Sequence, residues 1–391
     1  MLKFNNGADP VWGESISISG NVGVRYVETK IAAEGALSFP TQNQVFSGTC
    51  APPVGGGELP AFCQLTPEQQ AAALAFATGA SIPETAEHSY DNWLPSLNVK
   101  FGLTPEFLVR FGYSQAIRRS DLGLTRDQVP IQPRVIDNIF LGFEAQAGNT
   151  YLDPIKSEQF DLSGEWYFAP TGSLTLSLFH KTLSDVITNG YYDRTITNNG
   201  QTFDVYVRGP TNSAEEGTVQ GLELAYQQFY DFLPGWLSGF GVQANYTYID
   251  SSGVPQENLD AGKANPGGSE PTIDTSLLPL EGLSEHNANF TAIYENEKVS
   301  ARLAYSWRSE FLLTTRDEIV PFAPIMSDAT GQLDGSIFYS VNDRVKVGVQ
   351  AVNLLNETTK TFQVLDDTLQ QAPRSWFRND RRFSFIVRGT F

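Results

Sequence analysis

A period of two residues, repeated along most of the chain, constrains this sequence more than any other feature. Successive side chains of an extended strand point to opposite faces, so alternation sorts the residues of one face from those of the other. From Trp236 to Tyr248 the even positions are Trp236, Ser238, Phe240, Val242, Ala244, Tyr246 and Tyr248. From 239 onward the odd positions are Gly239, Gly241, Gln243, Asn245 and Thr247. The stretch from Val299 sets Val299, Ala301, Leu303, Tyr305 and Trp307 against Ser300, Arg302, Ser306, Arg308 and Glu310. Two arginines and a glutamate on the second face are costly in a dry interior. A water-filled interior accepts them, so the pattern predicts an all-β fold with one oily and one wet face.

Twelve long strands fit this pattern, near 14–29, 90–103, 106–119, 157–169, 173–188, 216–231, 236–251, 284–295, 298–312, 330–341, 344–356 and 379–391. Their connections alternate in length. Short turns fall at Thr104 to Glu106, Ala169 to Gly172, Phe232 to Gly235, Glu295 to Glu297 and Asn342 to Arg344. Long connections run over about 30–89, 120–156, 189–215, 252–283, 313–329 and 357–378. Short turns on one rim and long loops on the other are the layout of an antiparallel transmembrane β-barrel with periplasmic turns and extracellular loops. No apolar run reaches the roughly 18 residues of a membrane-spanning helix, so a membrane would be crossed by strands. The 26 Phe, 15 Tyr and 34 Gly suit strands with one lipid-facing side and turns between them.

Two long loops carry structure of their own. Residues 66–78 predict a short helix capped by Thr66, with Glu68 in its first turn. Tyr191 to Thr197 and Thr202 to Arg208 flank Asn198, Asn199 and Gly200, a hairpin signal. Cys50 and Cys63 lie in a Gly/Pro-rich segment and are too few for a structural zinc site. A disulfide in an oxidising compartment is their expected use, two free thiols the alternative. The opening residues, MLKFNNGADPVW, lack the features of a secretory signal, so a larger N-terminal part is expected to precede them. At the other end Phe383, Phe385, Val387 and Phe391 share a face. A last strand ending on Phe resembles the signal read by the outer-membrane barrel assembly machinery, an expected partner beside outer-membrane lipid.

Several stretches resemble the barrel of the TonB-dependent receptors, in particular the proteobacterial group linked to carbohydrate uptake. GNVGVRYVETK (20–30), DNWLPSLNVKFGLTPEFLVRFGYSQAIRRSDL (91–122), LSLFHKTLSDVI (176–187), GTVQGLELAYQ (217–227) and VNLLNE (352–357) follow the family's strand motifs in order. Arg119 stands where the family commonly has Pro, and Lys156 and Ser157 where it has Pro-Glu. The resemblance implies that residues 1–391 are one domain, the second half of a barrel of about 22 strands, without the N-terminal plug that contacts TonB. It implies an outer-membrane receptor that imports a ligand, with a lean toward an oligosaccharide, and with energy delivered through TonB and the absent plug.

Enzymatic readings lack support. The net charge of −18, from 26 basic against 44 acidic residues, excludes a nucleic-acid surface. His88, His180 and His286 are widely spaced, without a metal-ligand pattern. No GxSxG, Walker or dinucleotide motif occurs, and no cofactor is expected. The pairs Glu215/Glu216 and Asp366/Asp367 read as solvated loop charge before glycosidase acids. Asp250, Asp260 and Glu270 have no spacing that singles out a calcium site.

Receptors of this kind bind ligand between extracellular loops and plug, where aromatic planes stack and polar groups fix hydroxyls and charges. The candidates are Tyr191, Tyr192, Asp193, Arg194, Tyr206, Arg208, Trp307, Arg308 and Arg316, with girdle aromatics and rim charges as the plainer interpretation. Asn98, Arg110 and Arg118 are expected to face the lumen and the plug. Two other functions fit the same pattern: a passive twelve-stranded pore, or a secreted β-rich carbohydrate-binding or hydrolytic protein.

Overall fold

The computed structural model describes residues 2–6, 16–51, 57–255, 278–315, 317 and 323–389. A five-residue strand, β1 (Leu2–Asn6), pairs with the first long strand, β2 (Ser17–Ser38). The wall continues through β3 (Ser81–Gly102), β4 (Phe107–Arg118), β7 (Ile155–Ala169), β8 (Gly172–Ser184), β11 (Gly217–Phe229) and β12 (Phe240–Ser252). It ends with β13 (His286–Glu295), β14 (Val299–Arg308), β17 (Thr330–Asn342), β18 (Val345–Val352) and β21 (Arg382–Gly389). Each long strand pairs antiparallel with the next, in chain order. All twelve strands expected from the alternation are present in their predicted order. Among the described residues β21 bonds only to β18 and β1 only to β2, so the sheet is not closed.

Register turns the alternation into a continuous apolar surface. Tyr26 lies opposite Trp93, Leu97 opposite Tyr113, Tyr113 opposite Phe160, Leu162 opposite Leu178 and Leu178 opposite Leu222. The row continues through Leu224 and Tyr246, Phe290 and Tyr305, Leu303 and Gly335, Ile337 and Val349, and Val349 and Phe385. Many of these side chains are exposed, Phe385 at 85% and Trp93 at 63%, although they are large and apolar. A lipid-facing belt explains that exposure. The opposite row is polar: Asn98 donates to Asn21 at 3.2 Å, Asn289 to Asn245 at 2.8 Å, and Arg110 contacts Glu165 at 2.5 Å.

Three details differ from the pattern-based reading. β2 and β3 each run 22 residues, well past the predicted limits at 29 and 90. The alternation assigned to Trp236–Gly239 is a 3₁₀ turn, entered through Gly235 at φ +61°, and the strand begins at Phe240. Four of the long connections carry strands of their own. β5 (Gln128–Ile136), β6 (Ile139–Gln146), β9 (Ile187–Asn198) and β10 (Gln201–Asn212) form one extracellular sheet, in which β6 and β10 run parallel. β15 (Phe311–Thr314), β16 (Ile325–Ser327), β19 (Thr358–Val364) and β20 (Gln371–Arg378) form another, of four strands.

The β2–β3 connection carries a cap over the first of these sheets. It contains α1 (Gln42–Val45) and α2 (Pro67–Phe76) and is stapled by the Cys50–Cys63 disulfide. Helix α2 starts where predicted. Thr66 accepts from the Gln69 amide, Gln69 answers with its own side chain, and Pro67 sits in the first turn where its missing N–H costs nothing. The β9–β10 hairpin turns on Asn199 and Gly200, both at positive φ (46° and 75°), the backbone a two-residue type I′ turn demands.

The VNLLNE element is a clamp. Asn353, 4% exposed and at φ +58°, receives a hydrogen bond from Glu357 N at 2.8 Å and donates from Nδ2 to the Asn379 carbonyl. Its amide donates to Asp334 at 2.8 Å. One side chain and its amide thus tie β17, the β18–β19 turn and the entry to β21 together, work that aspartate's lack of a donor excludes.

Candidate functional site

The site begins on the inner faces of β2 and β3 beyond the belt. Inner positions are odd on β2 and even on β3, and the register holds unbroken from Ser17↔Gly102 to Ser38↔Ser81. Leu37, and Phe39 just past it, therefore point inward, where they join the apolar core of the cap with Phe76, Val129, Phe143, Ile196, Val205 and Val207. Phe76 is 0% exposed and meets Phe39, Phe143 and Phe203 at 5.2, 4.6 and 4.9 Å between ring centres. Inward-pointing Glu84 on β3 pairs with Arg194 of β9 at 2.7 Å. Two separate contacts thus lay one face of the β5-β6-β10-β9 sheet against the inner side of β2–β3. The other, axial, face points away from β2–β3.

That axial face gathers residues from four strands. Tyr191 and Tyr206 stack at 4.8 Å with 26° between their planes. Arg134 covers the Tyr206 ring at 3.8 Å and Arg208 lies 5.9 Å from the same ring. Glu144 sits 3.8 Å from both arginines and accepts from Gln132 at 3.1 Å. Asp193 is the cross-strand partner of Tyr206 and is exposed. Tyr191 ends the stack and is 63% exposed. The arrangement offers a flat aromatic plane with donors and acceptors around it, the chemistry that packs on a sugar ring or another flat ligand and bonds its hydroxyls.

The two-residue period divides the predicted candidates. Tyr191, Asp193, Tyr206 and Arg208 share the axial face. Tyr192 and Arg194 lie on the packed face. The Tyr192 hydroxyl donates to the Gly148 carbonyl at 2.8 Å, and burial pushes its pKa up to about 12. Burial alone would lower the Arg194 pKa, but the Asp127 hydrogen bond at 2.9 Å and the Glu84 charge outweigh it and the pKa is raised. The sign of the Tyr192 shift sets a test. The unfolded phenol ionises near pH 10 and the folded one about two units higher, so the cap loses stability between about pH 10 and 12. Tyr192→Phe should flatten an alkaline denaturation curve in that window.

Trp307 pairs with Ala288 in the same apolar row as Phe290 and Tyr305. Arg308 points inward but is held by Ser284 at 2.7 Å, by the Gly282 carbonyl at 3.2 Å and over Phe311 at 3.6 Å. Arg316, like Asp260, Glu270 and Phe391, lies outside the described residues. Asn98 and Arg110 line a cavity of about 550 Å³ on the polar face of the sheet with Lys100 and Asp161. Arg118 lines a second, of about 620 Å³, with Gln159 and Lys181. His88, His180 and His286 pair separately with Asp153, Gln220 and Tyr246. Among the described residues no three potential metal ligands cluster.

The reading from motifs missed Arg134, Gln132 and Glu144. A signal was present: Gln128, Pro130 and Gln132 alternate with Val129 and Ile131, one short strand inside a connection taken as loop.

A family profile described as "TonB dependent receptor-like, beta-barrel" matches residues 14–354. The chain belongs to the TonB-dependent receptors. This family consists of transporters of the Gram-negative outer membrane and not of enzymes. No curated protein matches the sequence. Among solved structures, the siderophore receptor PirA of Acinetobacter baumannii is 13% identical with a TM-score of 0.51, over 99% of this chain and 53% of that one. The ferric enterobactin receptor PfeA of Pseudomonas aeruginosa, in complex with enterobactin, is 14% identical with a TM-score of 0.53, over 96% and 52%. The ferric-catecholate import receptor Fiu of E. coli K12 is 14% identical with a TM-score of 0.51, over 97% and 43%. At these identities the likeness is one of receptor fold. This TonB-dependent receptor chain spans about half the length of the solved receptors it matches.

Proposed function

We propose that residues 1–391 form the C-terminal part of a receptor wall of about 22 strands that imports an oligosaccharide, energised by TonB through a plug carried elsewhere in the receptor. Two observations support the half-wall reading: the sheet is open at both edges, and the match covers 53% of PirA. Ligand binds on the axial face, and Asn98, Arg110 and Arg118 meet the plug from the lumen wall. The barrel assembly machinery takes the β21 end.

The exposed Tyr191 plane, with Arg208 as its cross-strand partner and Asp193 two residues along, carries the sugar reading. It mixes donors with acceptors, as hydroxyls on a flat ring require. A site for a ferric chelate, the ligand class of the solved relatives, is the second reading. Binding of maltohexaose, cellohexaose, xylohexaose and ferric enterobactin to the purified receptor separates the two. We expect an oligosaccharide to bind and Tyr191→Ala to weaken it about three- to tenfold, the loss of one stacking contact. Binding of ferric enterobactin with none of the three sugars would overturn the sugar reading.

A further inference from the structure

The axial face continues past the aromatic stack. Even-numbered residues of β5 share it with Arg134, whose guanidinium lies 3.8 Å from the Tyr206 ring centre, and Ile136 stands two residues further along. That step is about 7 Å in an extended strand. Ile136 is the register partner of Ile139 on β6, and Leu141 follows two residues later. A bulge at Gly142, φ +101°, adds one residue to β6, and Phe140 and Phe143 on either side of it both turn toward the cap core. Ile139 and Leu141 therefore keep to the axial side. Ile136, Ile139 and Leu141 are 42%, 53% and 49% exposed, an aliphatic strip that extends a face whose other end is aromatic and charged.

The strip is fastened in place. The β5–β6 hairpin turns on Asp137 and Asn138, both at positive φ (49° and 58°), the backbone of a two-residue type I′ turn. Asn138 Nδ2 donates to the Leu59 carbonyl at 2.9 Å and to Glu58 at 3.3 Å, and the Asn138 carbonyl accepts from Gln64 at 3.1 Å. Gln64 follows Cys63, whose disulfide to Cys50 closes the same loop of the cap. The tip is thus tied to the cap while its isoleucines stay in water, an apolar surface formed before any ligand arrives. Sugar hydroxyls lose hydration against bare aliphatic carbon, whereas an aryl or acyl group is itself driven onto it. We propose that the ligand is an oligosaccharide carrying an apolar substituent, an aryl or acyl group, which lies on Ile136, Ile139 and Leu141 while a sugar ring lies on Tyr191. The proposal rests on the oligosaccharide reading of the axial face and narrows it.

The test uses the purified receptor in nanodiscs, with empty nanodiscs as reference, and compares maltohexaose, cellohexaose and xylohexaose each with its own phenyl glycoside. For the sugar that binds, the phenyl glycoside should bind about tenfold more tightly. In the triple variant I136T/I139T/L141T, which keeps side chains suited to strands, that advantage should fall below about twofold. Unchanged binding of the free sugar reports an intact face, and the milder single variant I139T should lose part of the advantage. A phenyl glycoside that binds no more tightly than its free sugar, or an advantage that survives in the triple variant, overturns the proposal and leaves the oligosaccharide reading standing. Failure of all three hexaoses and of their phenyl glycosides to bind overturns both.

Discussion

Leu303→Arg is expected to lower the stability of the membrane-inserted wall by about 2–4 kcal/mol, whereas Gln350→Arg should cost less than about 1 kcal/mol. Leu303 is 46% exposed and lies between Ala292 and Gly335 in the lipid-facing row, away from both ends of β14. An arginine there must leave its charge in hydrocarbon or drag headgroups and water inward. Gln350 lies between Ser336 and Ser384 on the wet face, where a guanidinium stays hydrated. Urea unfolding of the receptor from lipid vesicles measures both. Equal costs would mean that the two rows do not face different solvents, and the barrel reading would fall with that result.

Phe76→Ala should cost about 3–5 kcal/mol, confined to the extracellular cap. Its ring fills the centre of the core against three other phenylalanines, and no neighbour can collapse into the space while the Cys50–Cys63 staple and the β9–β10 hairpin hold their positions. Hydrogen exchange should accelerate in α2, β9 and β10 and stay slow in β11 to β14, which touch none of this core. Exchange that rose everywhere would show cap and wall to be one cooperative unit. Ligand affinity should fall with cap stability, because the axial face is the reverse side of the same sheet.

The wall was legible because each strand meets two solvents, and alternating burial writes itself into alternating residues. Trp236 to Gly239 shows the limit: the alternation continued on paper through a turn that Gly235 bends out of the strand. The cap sheet was harder to read, since β6 and β10 pair in parallel across about sixty intervening residues, and no local pattern announces a distant partner. Pro130, Pro133 and Gly142 further disguise β5 and β6 as loop. Within the site, Tyr191 and Tyr192 are indistinguishable by composition. The contact between Arg194 and Glu84 and the packing of Phe39 in the cap core decide which of them faces away from β2–β3. Asn98 and Arg110 share the polar face of β3 and β4, a side that parity alone assigns.

The 22-residue strands β2 and β3 pass from the periplasmic edge into the cap without a bulge or a change of register. At about 3.3 Å per residue each is a beam some 70 Å long. The stacked tyrosines are bolted to the far end of that beam through Glu84 and Phe39, like an instrument on a mast. A floor that tilted would carry them with it, and they could not fold down over a guest by themselves. For the ligand site proposed on this face, discrimination among guests comes from which side chains the mounted panel displays, and evolution can exchange those one at a time without redesigning any moving part.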